Sequence, residues 1–297
     1  MSFSDYICGV SRTNLQETVK NRNKMDQYKS RFGSWALIAG AAEGIGAGFS
    51  RFLSQQGLNI VMVDNNLAAM QRLVDEMTTG KKIEVRQIHL DLVLPEAPEF
   101  LLQSIADLDC RLLVYVAAYS KVKPFLSSSN EELGRYVRVN NLTSIQLVHG
   151  FAMRLKENHQ PGGILLISSL AGLFGPPLVA PYAATKGFLI RLAESLAAEF
   201  HHLDIAVTAC CAGLTATPTF IENTPEKTRR KLKPMEPEKV ASIALKKLGH
   251  RSVCIPGWKN RMHYFILLSL LPRYISAKIL SRTMRAMYDL PSPEQTR

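Results

Sequence analysis

The 297-residue chain has no CxxC pair, no HExxH and no other spacing by which seven histidines and five cysteines could gather an ion, so no metal is expected. The cysteines (Cys8, Cys110, Cys210, Cys211 and Cys254) are odd in number, and three lie in strand-like apolar runs. That is the pattern of reduced, buried thiols in a cytosolic protein rather than of a disulfide scaffold. A secretory signal peptide is not expected either, because Asp5 comes early and no apolar core with a small-residue cleavage site follows it. Long hydrophobic runs are also missing. The most apolar window, MHYFILLSLL (262–271), stops at Pro272 and Arg273, well short of the ~20 residues a membrane span needs. The chain shows no internal repeat and no low-complexity linker. One domain is expected, cytoplasmic, with peripheral membrane contact through 260–288 as its one membrane option.

What is present is ordinary globular composition, 46% hydrophobic and 21% charged. The net charge of +11 is unevenly spread. Residues 227–297 carry sixteen Lys and Arg against Glu236, Glu238, Asp289 and Glu294, a net of +12, which leaves the remainder near neutral. No helix-turn-helix, zinc finger or RNA-binding signature accompanies this charge, so no nucleic-acid partner is expected. A solvated face, anionic lipid or an anionic substrate tail are the readings that remain.

Apolar runs and helical periodicities alternate along the chain. Strands are predicted at 35–40, 58–64, 82–91, 110–118, 163–168, 204–211 and 252–256, with helices at 44–57, 67–78, 96–106, 131–157, 181–201 and 237–248. Continuous apolar strands alternating with helices predict an α/β fold: a Rossmann-type, doubly wound parallel sheet of about seven strands with helices on both faces. An N-terminal arm (1–32) precedes this domain (33–257). A basic, apolar helical extension (258–297) follows it, and the Thr-, Pro- and Lys-rich 214–240 reads as a flap.

Gly40, Gly44 and Gly46 fall between the first strand and the first helix, in GAAEGIG. Small residues there suit a tight turn, and they also let backbone approach a pyrophosphate seated at the helix N-terminus. Asp64 ends the second strand eighteen residues beyond Gly46. It can accept hydrogen bonds from ribose hydroxyls and repel a 2′-phosphate, or cap the next helix. With no base at Ala42 or Glu43, the choice is NAD over NADP. In PYAATKGF (181–188), Tyr182 and Lys186 lie one helical turn apart. An ammonium beside a phenol can bring the ordinary pKa of about 10 down toward neutrality and so make the phenol a proton carrier. Alone, such a pair is common and usually structural.

Together these segments resemble the short-chain dehydrogenase/reductase family, in its single-domain branch, over roughly 33–257. The spacing G-x-x-x-G-x-G, the serine strand ISSLAG (167–172) with Ser169 thirteen residues before Tyr182, and VNNL (139–142) carry the resemblance. So does CAGLTAT (211–217) with Gly213 and Thr217. The resemblance implies Tyr182 as general acid/base and Lys186 as the group that lowers its pKa and holds the nicotinamide ribose. It implies Ser169 on the substrate oxygen and Asn140 positioning a relay water. Asp91 would contact adenine, and Ile45, Ala117, Gly213 and Thr217 would line the cofactor. A homodimer or homotetramer through the helices at 131–157 and 181–201 is the family expectation.

Two features depart from the family pattern. The family's N-N-A-G is YVAA here (115–118), which removes two asparagines that brace the sheet and line the cofactor, and Ala39 replaces a threonine. The loop LAGLFGPPLVAP (170–181) is uncharged, so Leu173, Phe174 and Leu178 are candidates to bind an apolar alcohol or ketone that is steroid-, terpenoid- or long-chain-like. The entry and tail segments look like relatives that include 3-oxoacyl and 17β-hydroxysteroid reductases, which favour NADP. The reading is an NAD-dependent dehydrogenase/reductase of a hydrophobic secondary alcohol. Its alternatives are an NADP-linked 3-oxoacyl-thioester or steroid ketone reductase and a non-catalytic, membrane-associated cofactor-binding protein.

Overall fold

Apolar side chains on both faces of each central strand are what force helices onto both sides of the sheet. In β1 (Trp35–Ala39), Ala36 and Ile38 enter one core while Leu37 and Ala39 enter the other, as the two-residue period of a strand requires. The structure, a computed structural model, describes residues 27–79 and 83–288. Strands β2 (Asn59–Asp64), β3 (Val85–His89), β4 (Cys110–Tyr115), β5 (Gly162–Ser169), β6 (Ile205–Ala212) and β7 (Val253–Cys254) complete a seven-stranded sheet in the order β3-β2-β1-β4-β5-β6-β7. Every pairing is parallel. Helices α1 (Gly44–Gln55) and α2 (Leu67–Thr78) cover one face; α3 (Ala97–Gln103) lies on the other. The strand order reverses direction between β1 and β4, and the crevice at that point, beyond the carboxyl ends of the strands, is where a ligand of such a sheet sits.

The helix expected at 131–157 is three pieces. Helix α4 (Asn130–Val137) opens with a Ser129/Glu132 capping box, a π-helical turn follows at Arg138–Leu142, and α5 (Thr143–Glu157) continues. The extra residue in the wide turn re-aims Asn140 without ending the helix. Helix α6 (Ala180–Glu199) packs against α4 and the π-helical turn on the α3 face. Two short helices, α7 (Pro218–Asn223) and α8 (Glu226–Arg229), occupy the predicted flap, which is tied down by a bridge between Thr215 and Met235. Helix α9 (Pro237–Lys247) joins the α1 face.

Edges differ most from expectation. β3 and β7 are shorter than 82–91 and 252–256, because few neighbours on the sheet rim remain to pair. The arm does not end cleanly at 32: residues 27–32 are helical, and Phe32, 2% exposed, is part of the core beside Tyr28. The rest of the arm, with Cys8, lies outside the described residues. Cys110, Cys210, Cys211 and Cys254 are free and buried. The extension folds as α10 (Trp258–Phe265), a π-helical turn (Ile266–Leu270) and α11 (Arg273–Met287). The Ser276 hydroxyl donates to Leu267 O at 2.5 Å and closes this hairpin. Among the described residues no helix is long and apolar enough to cross a membrane.

Candidate active site

The glycine turn is built for a close approach. Gly40 has φ +82°, a conformation that L side chains resist, and a β-carbon on Gly46 would stand 1.7 Å from Gly40 O. The amides of Gly40 and Ala41 both donate to Val63 O (2.8 and 3.0 Å), which pins the turn over β2. No side chain caps α1, so the amides of its first turn face outward for an anion. Gly40, Gly44 and Ile45 line a cavity of about 1010 Å³, whereas Gly46 is buried behind them as the space-saving residue. This cradle fits the pyrophosphate of a dinucleotide.

Asp64 lines the same cavity. Its carboxylate accepts from Ala42 N (2.9 Å) and Asn66 N (3.0 Å), which leaves further lone pairs for ribose hydroxyls. It does not cap α2; Asn66 does, by accepting from Ala69 N. Glu43 also lines this end of the cavity. Asp91 accepts from Val93 N (3.1 Å) and pairs with Arg135 (2.8 Å), a lining residue that the sequence reading missed. Ala117 lines the wall, its amide held by Ala39 O at 2.9 Å. Gly213 and Thr217 line it too, and the Thr217 hydroxyl accepts from Phe220 N as the N-cap of α7.

The end of β5 and the first turns of α6 bring Ser169, Tyr182 and Lys186 to one wall. Ser169 Oγ accepts from Ala171 N (3.1 Å) and is hydrogen-bonded to the Tyr182 phenol. Lys186 is 2% exposed, lies 5.6 Å from the centre of the Tyr182 ring, and donates to Ile167 O at 2.7 Å. The pKa expectation fails in part. Burial raises the phenol above its ordinary value, the Ser169 hydrogen bond pulling the other way, and the lysine is not what moves it. Burial instead brings the Lys186 ammonium down to about 7. Two groups drawn from water both favour their neutral forms, and that outweighs the attraction between them.

Asn140 is fully buried and does not line the cavity. Its Oδ1 accepts from Tyr119 N (2.7 Å), while its Nδ2 donates to Tyr119 O (3.1 Å) and to Thr185 Oγ1 (2.9 Å). The side chain therefore staples the loop after β4 to the residue preceding Lys186, a positioning geometry.

Of the three substrate candidates, Phe174 lines the cavity. Leu173 packs into the core behind it, and Leu178, held at φ +69°, uses its carbonyl to accept from Lys123 N at 2.9 Å. Alternation along an irregular loop cannot be read as it can along a strand, so which apolar residues turned inward was not evident. The extension lines the same cavity with Tyr264, Leu280, Met284, Met287 and Tyr288. Tyr264 meets Phe174 edge-on with ring centres 6.2 Å apart, and Tyr288 comes close enough to Tyr182 to disfavour its ionised form.

The chain is similar to known dehydrogenases and reductases. The 7beta-hydroxysteroid dehydrogenase of Clostridium sardiniense is 29% identical over 236 residues, 79% of this chain and 89% of that one. A very-long-chain 3-oxoacyl-CoA reductase of Eremothecium gossypii is 26% identical over 272 residues, 85% of this chain and 75% of that one. A solved 7beta-hydroxysteroid dehydrogenase structure superposes with a TM-score of 0.79 at 24% identity, covering 85% of this chain and 98% of its own. The short chain dehydrogenase family model matches residues 34–228, and the chain belongs to that family as an NAD(P)-dependent oxidoreductase.

Proposed function

We propose that the protein interconverts a bulky, hydrophobic secondary alcohol and its ketone, with NAD as cofactor. The observation that carries this reading is the convergence of Ser169, Tyr182 and Lys186 in one large cavity whose lining is otherwise rich in apolar side chains. When bound, the nicotinamide supplies or accepts hydride. The Tyr182 phenol holds the proton at the substrate oxygen, donating it in reduction and taking it in oxidation. Ser169, accepting from Ala171 N, gives its hydrogen to the Tyr182 oxygen while the cavity is empty and would turn it to the substrate oxygen when that oxygen enters beside the phenol. Lys186, with a pKa of about 7, passes protons in either direction near neutrality. Asn140 holds the lysine's helix in place.

Asp64 and Glu43 at the adenosine end favour NAD, since two carboxylates would repel a 2′-phosphate, and the lining base Arg135 is engaged by Asp91. The steroid and acyl relatives, together with the chamber's volume, support a steroid-like or long-chain substrate. The test is equilibrium binding of NADH and NADPH, followed by turnover of hydroxysteroids and long-chain alcohols. NADH is bound more tightly, and Tyr182→Phe lowers turnover about a thousandfold. Tighter NADPH binding would move the reading to reduction of 3-oxoacyl or steroid ketones, and turnover unaffected by Tyr182→Phe would end it.

A further inference from the structure

The extension has an inner face on the cavity and an outer face on solvent. The outer face exposes Trp258 (61%), Phe265 (54%), Leu270 (62%) and Tyr274 (75%), with Met262 beside them. A soluble protein scatters such side chains singly; here they crowd into one hairpin. Lys259, Arg261, Lys278 and Arg282 are exposed among them, and none of the four enters an ion pair within the described structure. Between residues 239 and 288 the chain has ten Lys and Arg and no Asp or Glu. A solvated face mixes both signs. Aromatic and aliphatic side chains interleaved with cations alone are instead the composition of a helix that lies in a membrane interface. A second copy of the chain fits this face poorly, because a two-fold contact would set cation against cation. Ile266 and Ile279 are both exposed and cavity-lining, so the cavity opens at this rim.

We propose that the α10–α11 hairpin seats the protein on an anionic lipid surface, its apolar side chains in the acyl boundary and its cations against headgroup phosphates. The cavity mouth at Ile266 and Ile279 then faces the bilayer. This inference stands on the outer face and not on the reaction, and it is read without turnover.

The experiment is co-sedimentation of the full chain with phosphatidylcholine vesicles, with and without about 30% phosphatidylglycerol, together with Trp258 emission. A Trp258→Phe variant assigns the fluorescence signal against Trp35. Sedimentation and a blue shift of Trp258 are expected with the anionic vesicles only, reversed by roughly 0.5 M NaCl. Lys278→Gln and Arg282→Gln each lower partitioning roughly fivefold, and circular dichroism confirms that both stay folded. Phe265→Ser with Leu270→Ser abolishes the blue shift. Equal binding to both vesicle types, binding to neither, or a dimer that Phe265→Ser with Leu270→Ser dissolves would each overturn the proposal.

Discussion

The Tyr115 hydroxyl donates to Val139 O at 2.6 Å and so clamps the end of β4 to the π-helical turn that holds Asn140. Tyr115 stands where the family pattern has the first of its two asparagines. The bracing role of that position is kept with different chemistry: a longer side chain reaches a backbone acceptor, and burial holds the phenol neutral as a donor. Tyr115→Phe is predicted to cost about 1–3 kcal/mol, the price of losing a buried hydrogen bond. A urea titration measures it. Activity falls with stability, because the Asn140 staple loosens with the turn.

The Ser169 hydrogen bond is what opposes burial at Tyr182. Alcohol oxidation needs the phenolate and so rises with pH; ketone reduction needs the phenol and falls on the alkaline side. Ser169→Ala is predicted to move the alkaline limb of both profiles to higher pH, as well as lowering kcat by about a hundredfold. The pH dependence of kcat/KM in the two directions is the readout. A lowered rate with an unmoved limb would leave Ser169 acting on the substrate alone.

Lys186 carries a stability cost whose sign can be worked out. Its folded pKa, about 7, lies below the ordinary 10.5, so the unfolded chain binds the extra proton between those values. Stability from this group is therefore complete above about 10.5 and declines as pH falls toward 7, below which the penalty is constant. Lys186→Met, nearly the same volume, is predicted to abolish turnover yet raise Tm by a few degrees at pH 6. The difference from the parent protein narrows steadily from pH 7 to 9 in differential scanning.

These contrasts show what a linear reading could and could not reach. Strand positions and the glycine turn were legible because each depends on local period, and the Tyr182–Lys186 spacing on one helical turn; Ser169 and the roles of all three residues came from the resemblance to the family. The break at 138–142 was not legible, since RVNNL keeps helical propensity and the π-helical turn appears only in the backbone hydrogen bonds. Nor was the depressed pKa of Lys186, which arises from walls contributed by β5 and β6. Least visible was the extension: Met284 and Tyr288 are about a hundred residues from Tyr182 in sequence, and nothing in a basic, apolar tail indicates which face turns inward.

That inward face leads to a prediction about size selection. Met284 and Met287 line the chamber from α11, and methionine's flexible thioether adapts to irregular apolar ligands. Met284→Trp adds bulk at a wall free to move only as far as the hairpin tie between Ser276 and Leu267 allows. A wide steroid-like ketone should lose about tenfold or more in kcat/KM, mostly through KM, since one or two methylene-sized contacts are worth ~1–3 kcal/mol. A small ketone such as cyclohexanone keeps its rate, because Ser169, Tyr182 and Lys186 are held by β5 and α6 and not by α11. Equal losses for both ketones would mean that α11 holds the catalytic wall rather than selecting the ligand, and the extension would then belong to the chemistry instead of to specificity.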